Sequence, residues 1–298
     1  MKVLITGGAG FLGAWVIHRF VASGAEVRVF DLKDDRSIAR KIMGERADAL
    51  DWRTGDIRDG AAVLEAASGC DFIVHLAALL TPDCAANPVL GAQVLLIGTL
   101  NVFEAAKAHG MKGVAYASSG AVFGGDDGVY PFPVTQYAAF KLACEGAARA
   151  YWRDAGMPSI GFRPAVIYGP FRETGMTAGP SLACLAAAKG GSYHLAYSGA
   201  ADMIFVDDVA AAFHAAAVTP FEGAHALNLK GEVADVADIA AAIDACVPGT
   251  AVTWEGDPLP MHSVLATSPL EKLLGPLPRT ALRDGLAKTI DYYRRHSG

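Results

Sequence analysis

Apolar and polar positions along the first half of this chain switch between a strand rhythm and a helix rhythm, and the switches place the elements. Lys2-Val3-Leu4-Ile5 is a short β-branched apolar run broken by Thr6-Gly7-Gly8, after which Trp15, Val16, Phe20 and Val21 recur at helical spacing. That predicts a strand, a tight glycine turn and a helix. The pattern continues with a strand over 26–31, a helix around 37–50, a short strand ending before Gly55-Asp56-Ile57, a strand over 71–77 and a long helix over 88–109. A strand over 113–118, a helix over 136–155 and a strand over 159–163 complete it. Such alternation predicts an α/β fold with a doubly wound parallel sheet, helices on both faces and ligands at the carboxyl ends of the strands.

After Pro170 the alternation breaks down, as a smaller lobe covering the first domain requires. Helices are predicted over 176–189, 236–246 and 281–296, strands over 192–197 and 226–230, and a strand end running into a helix over 205–218. The organisation read from this is a nucleotide-binding domain over 1–169, with 203–230 returning to it, and a smaller α/β substrate lobe over 170–202 and 231–298.

Composition narrows the class. A length of 298 residues suits one large α/β domain with an appendage. A net charge of −6 without a basic run argues against nucleic acid and acidic membranes as partners. Cys70, Cys84, Cys144, Cys184 and Cys246 are scattered without CxxC spacing, so neither a disulfide framework nor a zinc site is suggested and a reducing, cytoplasmic setting is expected. The first strand begins at Lys2, leaving no room for a signal peptide, and no apolar run of membrane-spanning length is free of charges or glycines. Asp207-Asp208 lacks further carboxylates at ligand spacing; it reads as a helix N-terminal cap, and no metal site is expected. His75, His109, His194, His214 and His262 have no sequence partner that would make one a catalytic base.

The candidate chemistry begins at the glycine turn. Gly7, Gly10 and Gly13 lie three residues apart between strand and helix, so bare N–H groups at the helix start face an anion, of which a dinucleotide pyrophosphate is the usual example. Asp31, eighteen residues beyond Gly13, ends the second strand, where its carboxylate can accept from both adenosine ribose hydroxyls and would repel a 2′-phosphate. This favours NAD over NADP; a capping or loop aspartate is the alternative, and Lys33 and Arg36 lie close enough to blur the choice. Tyr137 and Lys141 are four apart on a predicted helix, so the ammonium can lie near the phenol and stabilise its phenolate. Taken alone, a Tyr and a Lys one turn apart mean little. Ser118-Ser119-Gly120, just after the fifth strand, adds a hydroxyl able to hold the substrate oxygen that the tyrosine protonates or deprotonates.

With these motifs in order, the chain resembles the extended short-chain dehydrogenase/reductase superfamily and, within it, the NAD-dependent epimerase/dehydratase family. TGGAGFLG at 6–13 resembles its TGxxGFLG turn, GDIRD at 55–59 its adenine-contacting segment and HLAAL at 75–79 its strand-four segment. ASSGAVFG at 117–124 resembles SSxxVYG, which puts the family serine at Ser119; Tyr137 and Lys141 match YxxxK. FRPAVIYGP at 162–170 resembles the strand under the nicotinamide, FVDDVA at 205–210 the VDDVA segment and LPRTALRDGLAKTI at 277–290 the last helix. The resemblance implies a Rossmann-type sheet and pyrophosphate contacts at Gly7, Gly10, Phe11, Leu12 and Gly13. It implies ribose at Asp31, adenine at Asp56 and Ile57, further cofactor contacts at Leu32, Leu76, Ala77, Ala78, Pro164 and Val166, and NAD as cofactor. Ser119, Tyr137 and Lys141 would be catalytic, Lys141 also holding the nicotinamide ribose. Leu79, Ser119, Gly120, Phe123 and Tyr137 would meet a small carbohydrate-like substrate. A homodimer through helices 88–109 and 136–155 is also implied, and the apolar residues on more than one face of these helices agree with it.

Departures from the family pattern bear on function. Leu95 stands where many members have Asn, and Phe123 replaces the usual Tyr of VYG. Nucleotide-sugar epimerases of the family place one arginine five residues before VDDVA and another ahead of a Gly-Asp-Pro turn; here those positions are Ala201 and Glu255. Dehydratases place Asp-Glu after the residue matching Ser119, where this chain has Gly120 and Ala121. The reading favoured is a dehydrogenase acting on a secondary hydroxyl of a sugar, sugar acid or small polyol. A nucleotide-sugar 4-epimerase is the alternative, with Arg172, Arg279 or Arg283 as other possible anion sites, and the intact Ser119, Tyr137 and Lys141 argue against a non-catalytic NAD-binding regulator.

Overall fold

The computed structural model describes residues 1–125, 127–259 and 264–296. Its strands are β1 (Lys2–Thr6), β2 (Glu26–Asp31), β3 (Asp51–Thr54), β4 (Phe72–His75), β5 (Val114–Ala117), β6 (Ser159–Pro164), β7 (Val166–Tyr168), β8 (Tyr193–Leu195), β9 (Ala200–Phe205), β10 (Ala224–Leu229), β11 (Glu232–Asp235) and β12 (Val252–Trp254). Seven form one parallel sheet in the order β10-β6-β5-β4-β1-β2-β3. The chain therefore starts in mid-sheet, winds outward to β3 and reverses to β4. The reversal opens a crevice beyond the carboxyl ends of β1 and β4, where such sheets bind ligands.

Burial on both faces explains the continuous apolar run of β1. Val3 and Ile5 enter the core on one side of the sheet and Leu4 enters the core on the other, all fully buried. The first core is closed by α1 (Phe11–Ala22), α2 (Ser37–Met43) and, further on, α9 (Val206–Val218). The second is closed by α3 (Gly60–Ala67) and by α6 (Gly98–Ala108) and α7 (Gln136–Ala155), which follow the short α4 (Thr81–Ala86) and α5 (Pro88–Ala92). The remaining helices are α8 (Gly179–Ala188), α10 (Val236–Cys246), α11 (Leu270–Leu274) and α12 (Leu282–His296).

Several elements differ from the periodicity. The helix around 37–50 stops at Met43 because Gly44 turns the chain with φ +65°, leaving only a 3-10 turn to Ala47. The helix over 88–109 is α5, a π turn over Gln93–Ile97 and α6 in sequence. Pro88–Ala108 is long and apolar enough by composition to cross a membrane, with mean hydropathy 1.6, but it carries Gly91, Gly98, Glu104 and Lys107 and packs on α3 and α7. α3 escapes the pattern because it is short and alanine-rich; the Asp59 carboxylate caps it, accepting from Ala61 and Ala62 N–H at 3.0 and 3.2 Å.

Past β6 the chain leaves the large sheet. Only Ala165 separates β6 from β7, yet β7 pairs with β9, and β9 with β11, in a second sheet of three strands. Residues 206–229 then return, α9 packing on α1 and β10 pairing in parallel with β6. Neither Asp207 nor Asp208 caps its own helix, which corrects the sequence reading: the cap position is Phe205, and the Asp208 carboxylate reaches across to accept from Thr280 N–H and Oγ1 at 2.6 and 2.9 Å.

Candidate active site

The glycine turn brings three backbones closer than side chains allow. Gly7 has φ +73°, and a Cβ on it would lie 2.5 Å from Ala77 N; one on Gly13 would lie 2.2 Å from Gly7 O. No side chain caps α1 at Gly10, and the first intrahelical bond runs from Ala14 N to Gly10 O at 3.0 Å. The N–H groups of Phe11, Leu12 and Gly13 are thus left for an anion.

Two cavities share this turn. One, of about 450 Å³, is lined by Gly7, Gly10, Asp31, Leu32, Asp56, Ile57, Leu76, Ala77, Ala78 and Leu79. The Asp31 carboxylate is fixed at its rim by Ala9 N–H at 3.0 Å and Lys33 N–H at 3.3 Å, leaving acceptor capacity turned outward. Asp56 sits opposite and is gripped by the Arg58 guanidinium, whose Nε lies 3.0 and 2.9 Å from its two oxygens, so the carboxyl is held below the usual carboxylate range. The other cavity, of about 400 Å³, is lined by Gly7, Gly10, Phe11, Leu12, Gly13, Leu76, Ala78, Ser119, Tyr137, Lys141 and Pro164. The four shared residues, Gly7, Gly10, Leu76 and Ala78, make the pair one trough running from Asp31 to Tyr137.

Helix α7 carries the candidate pair, Tyr137 and Lys141. Thr135 Oγ1 accepts from Ala138 N–H at 3.2 Å and starts the helix, and Gly156, left-handed at φ +62°, ends it. Tyr137 is half-buried in the first turn, and the buried Lys141 ammonium lies 5.6 Å from its ring centroid. The ammonium donates to Ala117 O at 2.6 Å, and among the described residues it is in no ion pair. Ser119 Oγ accepts from Ala121 N–H at 3.1 Å and faces the same cavity. Its neighbour Ser118 is occupied otherwise, donating at 2.6 Å to the fully buried Glu145, which is also paired with Arg163. That separates the two serines: the one matching the family position is the one free to meet a substrate oxygen.

Behind the pair, His75 is a structural histidine. Thr99 Oγ1 donates to Leu95 O at 2.5 Å, so it accepts from His75 Nε2 at 3.1 Å, and Nδ1 accepts from Thr6 Oγ1 at 2.7 Å. Burial, and secondarily the Lys141 ammonium, pull the imidazole down from its usual 6.5 to about 3, so it stays neutral. The π turn sets Leu95, buried in place of the common Asn, so that its carbonyl rather than its side chain serves this network, accepting from Thr99 and from Cys144 Sγ at 3.3 Å. His262 lies outside the described residues.

Four expected contacts lie off the wall of the Tyr137 cavity. The Val166 side chain is fully buried in the core, and the cavity wall there is Pro164, Ala165 and Ile167. Phe123 is buried against Val122 and Leu265 beneath the Arg163 guanidinium, and Gly120 is pressed against Pro164 O and Ala165, so neither lines the reactive cavity. Leu79 lies in the Asp31 cavity, away from Tyr137, because the strand-four segment runs along the trough. Sequence reasoning missed Leu80, Thr81 and Pro82 at the start of α4 and Thr174–Thr177 in the loop before α8; these carry no spacing signal and arrive by folding. Of the three arginines weighed, Arg172 lines the reactive cavity, whereas Arg279 is exposed and paired with Glu271, and Arg283 is exposed elsewhere.

A cradle that a Cβ would fill, open helix N–H groups and a fixed ribose-type aspartate fit a dinucleotide. The fold and the site together define an NAD-binding enzyme of the short-chain dehydrogenase/reductase class. The chain belongs to the NAD-dependent epimerase/dehydratase family, whose family model matches residues 3–229. It is 30% identical, across the whole of both chains, to a UDP-glucose 4-epimerase of Mycolicibacterium smegmatis. A crystal structure of the Thermus thermophilus UDP-glucose 4-epimerase in complex with NAD superposes with a TM-score of 0.83 at 26% identity, covering 99% of each chain. The structure of MoeE5 with UDP-glucuronic acid and NAD gives a TM-score of 0.84 at 25% identity, covering 99% of this chain and 100% of that one.

If Asp31 holds the adenosine ribose, Asp31→Ala is expected to weaken NAD and to lower the ratio of kcat/KM with NAD to that with NADP by about tenfold or more, since two charge-assisted bonds and a repulsion would be lost together. A ratio that does not move removes Asp31 from the ribose.

Proposed function

We propose that this enzyme oxidises a secondary hydroxyl, or reduces the matching ketone, of a sugar, sugar acid or similar small polyol and releases the product. The observation that carries the reading is the convergence of Ser119, Tyr137 and Lys141 on the wall of the cavity that continues the glycine turn. In the oxidising direction Ser119 Oγ orients the substrate hydroxyl and Tyr137 Oη, as phenolate, takes its proton. The Lys141 ammonium stabilises the phenolate charge, and Ala117 O fixes the ammonium in place. NAD+, held by the glycine turn and Asp31, supplies the hydride acceptor when bound. The apolar wall around them, with Leu12, Leu76, Leu80, Pro164 and Ile167, offers these charges few competing polar groups and so strengthens their interaction.

A dehydrogenase is favoured over an epimerase because the two diphosphate-clamping positions hold no cation: Ala201 is buried in β9 and Glu255 is exposed beyond β12. A nucleotide-sugar 4-epimerase with retained NAD is the second reading, supported by the full-length similarity to the Mycolicibacterium enzyme. The two part cleanly on a panel of free sugars, sugar acids and UDP-sugars. NADH accumulating in proportion to product is the expected result; micromolar binding of a UDP-sugar with 4-epimer formation and no NADH selects the epimerase.

We also infer a homodimer through helices 88–109 and 136–155. Val89 is 70% and Ile97 43% exposed on the first of these, apolar surface that a second copy would cover. Light scattering at micromolar concentration should give twice the 31.0 kDa chain mass; a monomer mass contradicts the inference.

A further inference from the structure

We propose that Arg172 is a specificity-determining residue that pairs with a carboxylate carried by the substrate. The inference rests on the oxidoreductase reading above and names the class of molecule it acts on, an acid such as a uronate or hydroxy acid.

The guanidinium enters the cavity that holds Ser119 and Tyr137 and stacks on the Phe11 ring, 5.6 Å from its centroid. Its Nε is buried and has no hydrogen-bond partner, and Nη2 makes one long bond, 3.4 Å to Thr177 Oγ1. No carboxylate lies within ion-pair distance of it among the described residues. A buried Nε–H left without an acceptor is costly unless a ligand completes it. Nothing else on the wall competes for that ligand's charge: Lys141 and Arg172 are the charged residues lining this cavity, neither is opposed by an acid there, and Lys141 is committed to Ala117 O. A protein of net charge −6 has thus reserved its reactive cavity for an anion.

The backbone is bent to put the arginine there. Phe171 is the one non-glycine residue with positive φ among the described residues, at +72°. Its N–H donates to Tyr293 Oη at 2.9 Å, and its ring packs against Tyr292, Tyr293 and His296, which holds the strained turn and directs the next side chain inward. Burial lowers the Arg172 guanidinium from its usual value, the direction expected of a cation with no acid beside it.

A carboxylate fits better than the cofactor's pyrophosphate. The pyrophosphate is met by the N–H groups of Phe11, Leu12 and Gly13, and with one face of the guanidinium covered by Phe11, the open Nε–Nη edge offers two parallel donors to a planar two-oxygen acceptor.

The test is calorimetry on the NADH-loaded enzyme, in which an alcohol has no hydride acceptor and binding is read without turnover. The probes are D-galacturonate against D-galactose, D-glucuronate against D-glucose, and glucose 6-phosphate. At least one uronate should bind about tenfold or more tightly than its neutral partner. Arg172→Gln should erase that preference and Arg172→Lys keep part of it, with NADH affinity unchanged within about twofold. Equal binding of acids and neutral sugars to the native enzyme overturns the inference, as does a preference that survives Arg172→Gln. Tighter binding of the phosphate than of either uronate, or a fall in NADH affinity in Arg172→Gln, reassigns the guanidinium to phosphate or to the cofactor. An Arg172-dependent uronate preference in an enzyme that forms 4-epimers without NADH would sink the dehydrogenase reading and leave this one standing.

Discussion

Tyr137→Phe is expected to lose at least about a hundredfold in kcat while NAD affinity stays unchanged, since positioned acid/base catalysis contributes about 10²–10⁴-fold. The ring remains on α7, capped by Thr135, so the cavity wall and the Lys141 position 5.6 Å away are preserved and only the transferable proton is removed. Lys141 cannot take over, because its ammonium is a donor tied to Ala117 O and carries no acceptor for the substrate proton. Steady-state kinetics with titration of NAD fluorescence quenching separates the two effects. Retention of more than about a tenth of the activity would remove Tyr137 from the acid/base role.

Glu145→Ala is expected to cost about 3–5 kcal/mol of stability, the range for removing one partner of a buried ion pair. The Glu145 side chain is fully buried and the Arg163 side chain only 12% exposed. Glu145 Oε1 accepts from Arg163 Nε at 2.7 Å and from Ser118 Oγ at 2.6 Å, and Oε2 accepts from Arg163 Nη2. Truncation leaves the guanidinium in the interior, over the Phe123 ring at 5.0 Å from its centroid and without its acid partner. It also frees Ser118 beside Ser119, the serine proposed to orient the substrate, so kcat should fall with stability. Urea denaturation would read the first effect as a lower midpoint at unchanged slope. Pairing Glu145→Leu with Arg163→Met should recover most of the loss, because a well-packed apolar pair replaces the ions without stranding either; a loss below about 1 kcal/mol in the single variant would mean the guanidinium finds another partner.

The trough between Asp31 and Tyr137 was largely legible beforehand because each of its parts is local. A glycine turn, an aspartate at a strand end and a tyrosine four residues before a lysine on a helix are short-range patterns, and parallel α/β winding carries strand ends to one edge whatever the loops do. The small lobe was legible only in outline. Its strands β7, β11 and β12 are three or four residues long, below what periodicity resolves, and β7 departs from β6 after a single residue, a bend that no alternation of side chains announces. Glu145 and Arg163 were invisible for a related reason. A charged residue on a helix reads as solvated until the partner strand is in place.

By itself, the order of residues determined the sheet and the glycine turn and singled out Asp31, Ser119, Tyr137 and Lys141 as candidates, because those depend on spacing within one or two elements. Tertiary structure alone decided which residues face the reactive cavity. It turned Phe123, Gly120 and Val166 into the core, moved Leu79 to the Asp31 cavity, and swung Arg172 inward on the left-handed Phe171 held by Tyr293. Side-chain direction there is set by contacts between segments more than a hundred residues apart, as between Phe171 and Tyr293, and such contacts exist only once those distant segments have packed together.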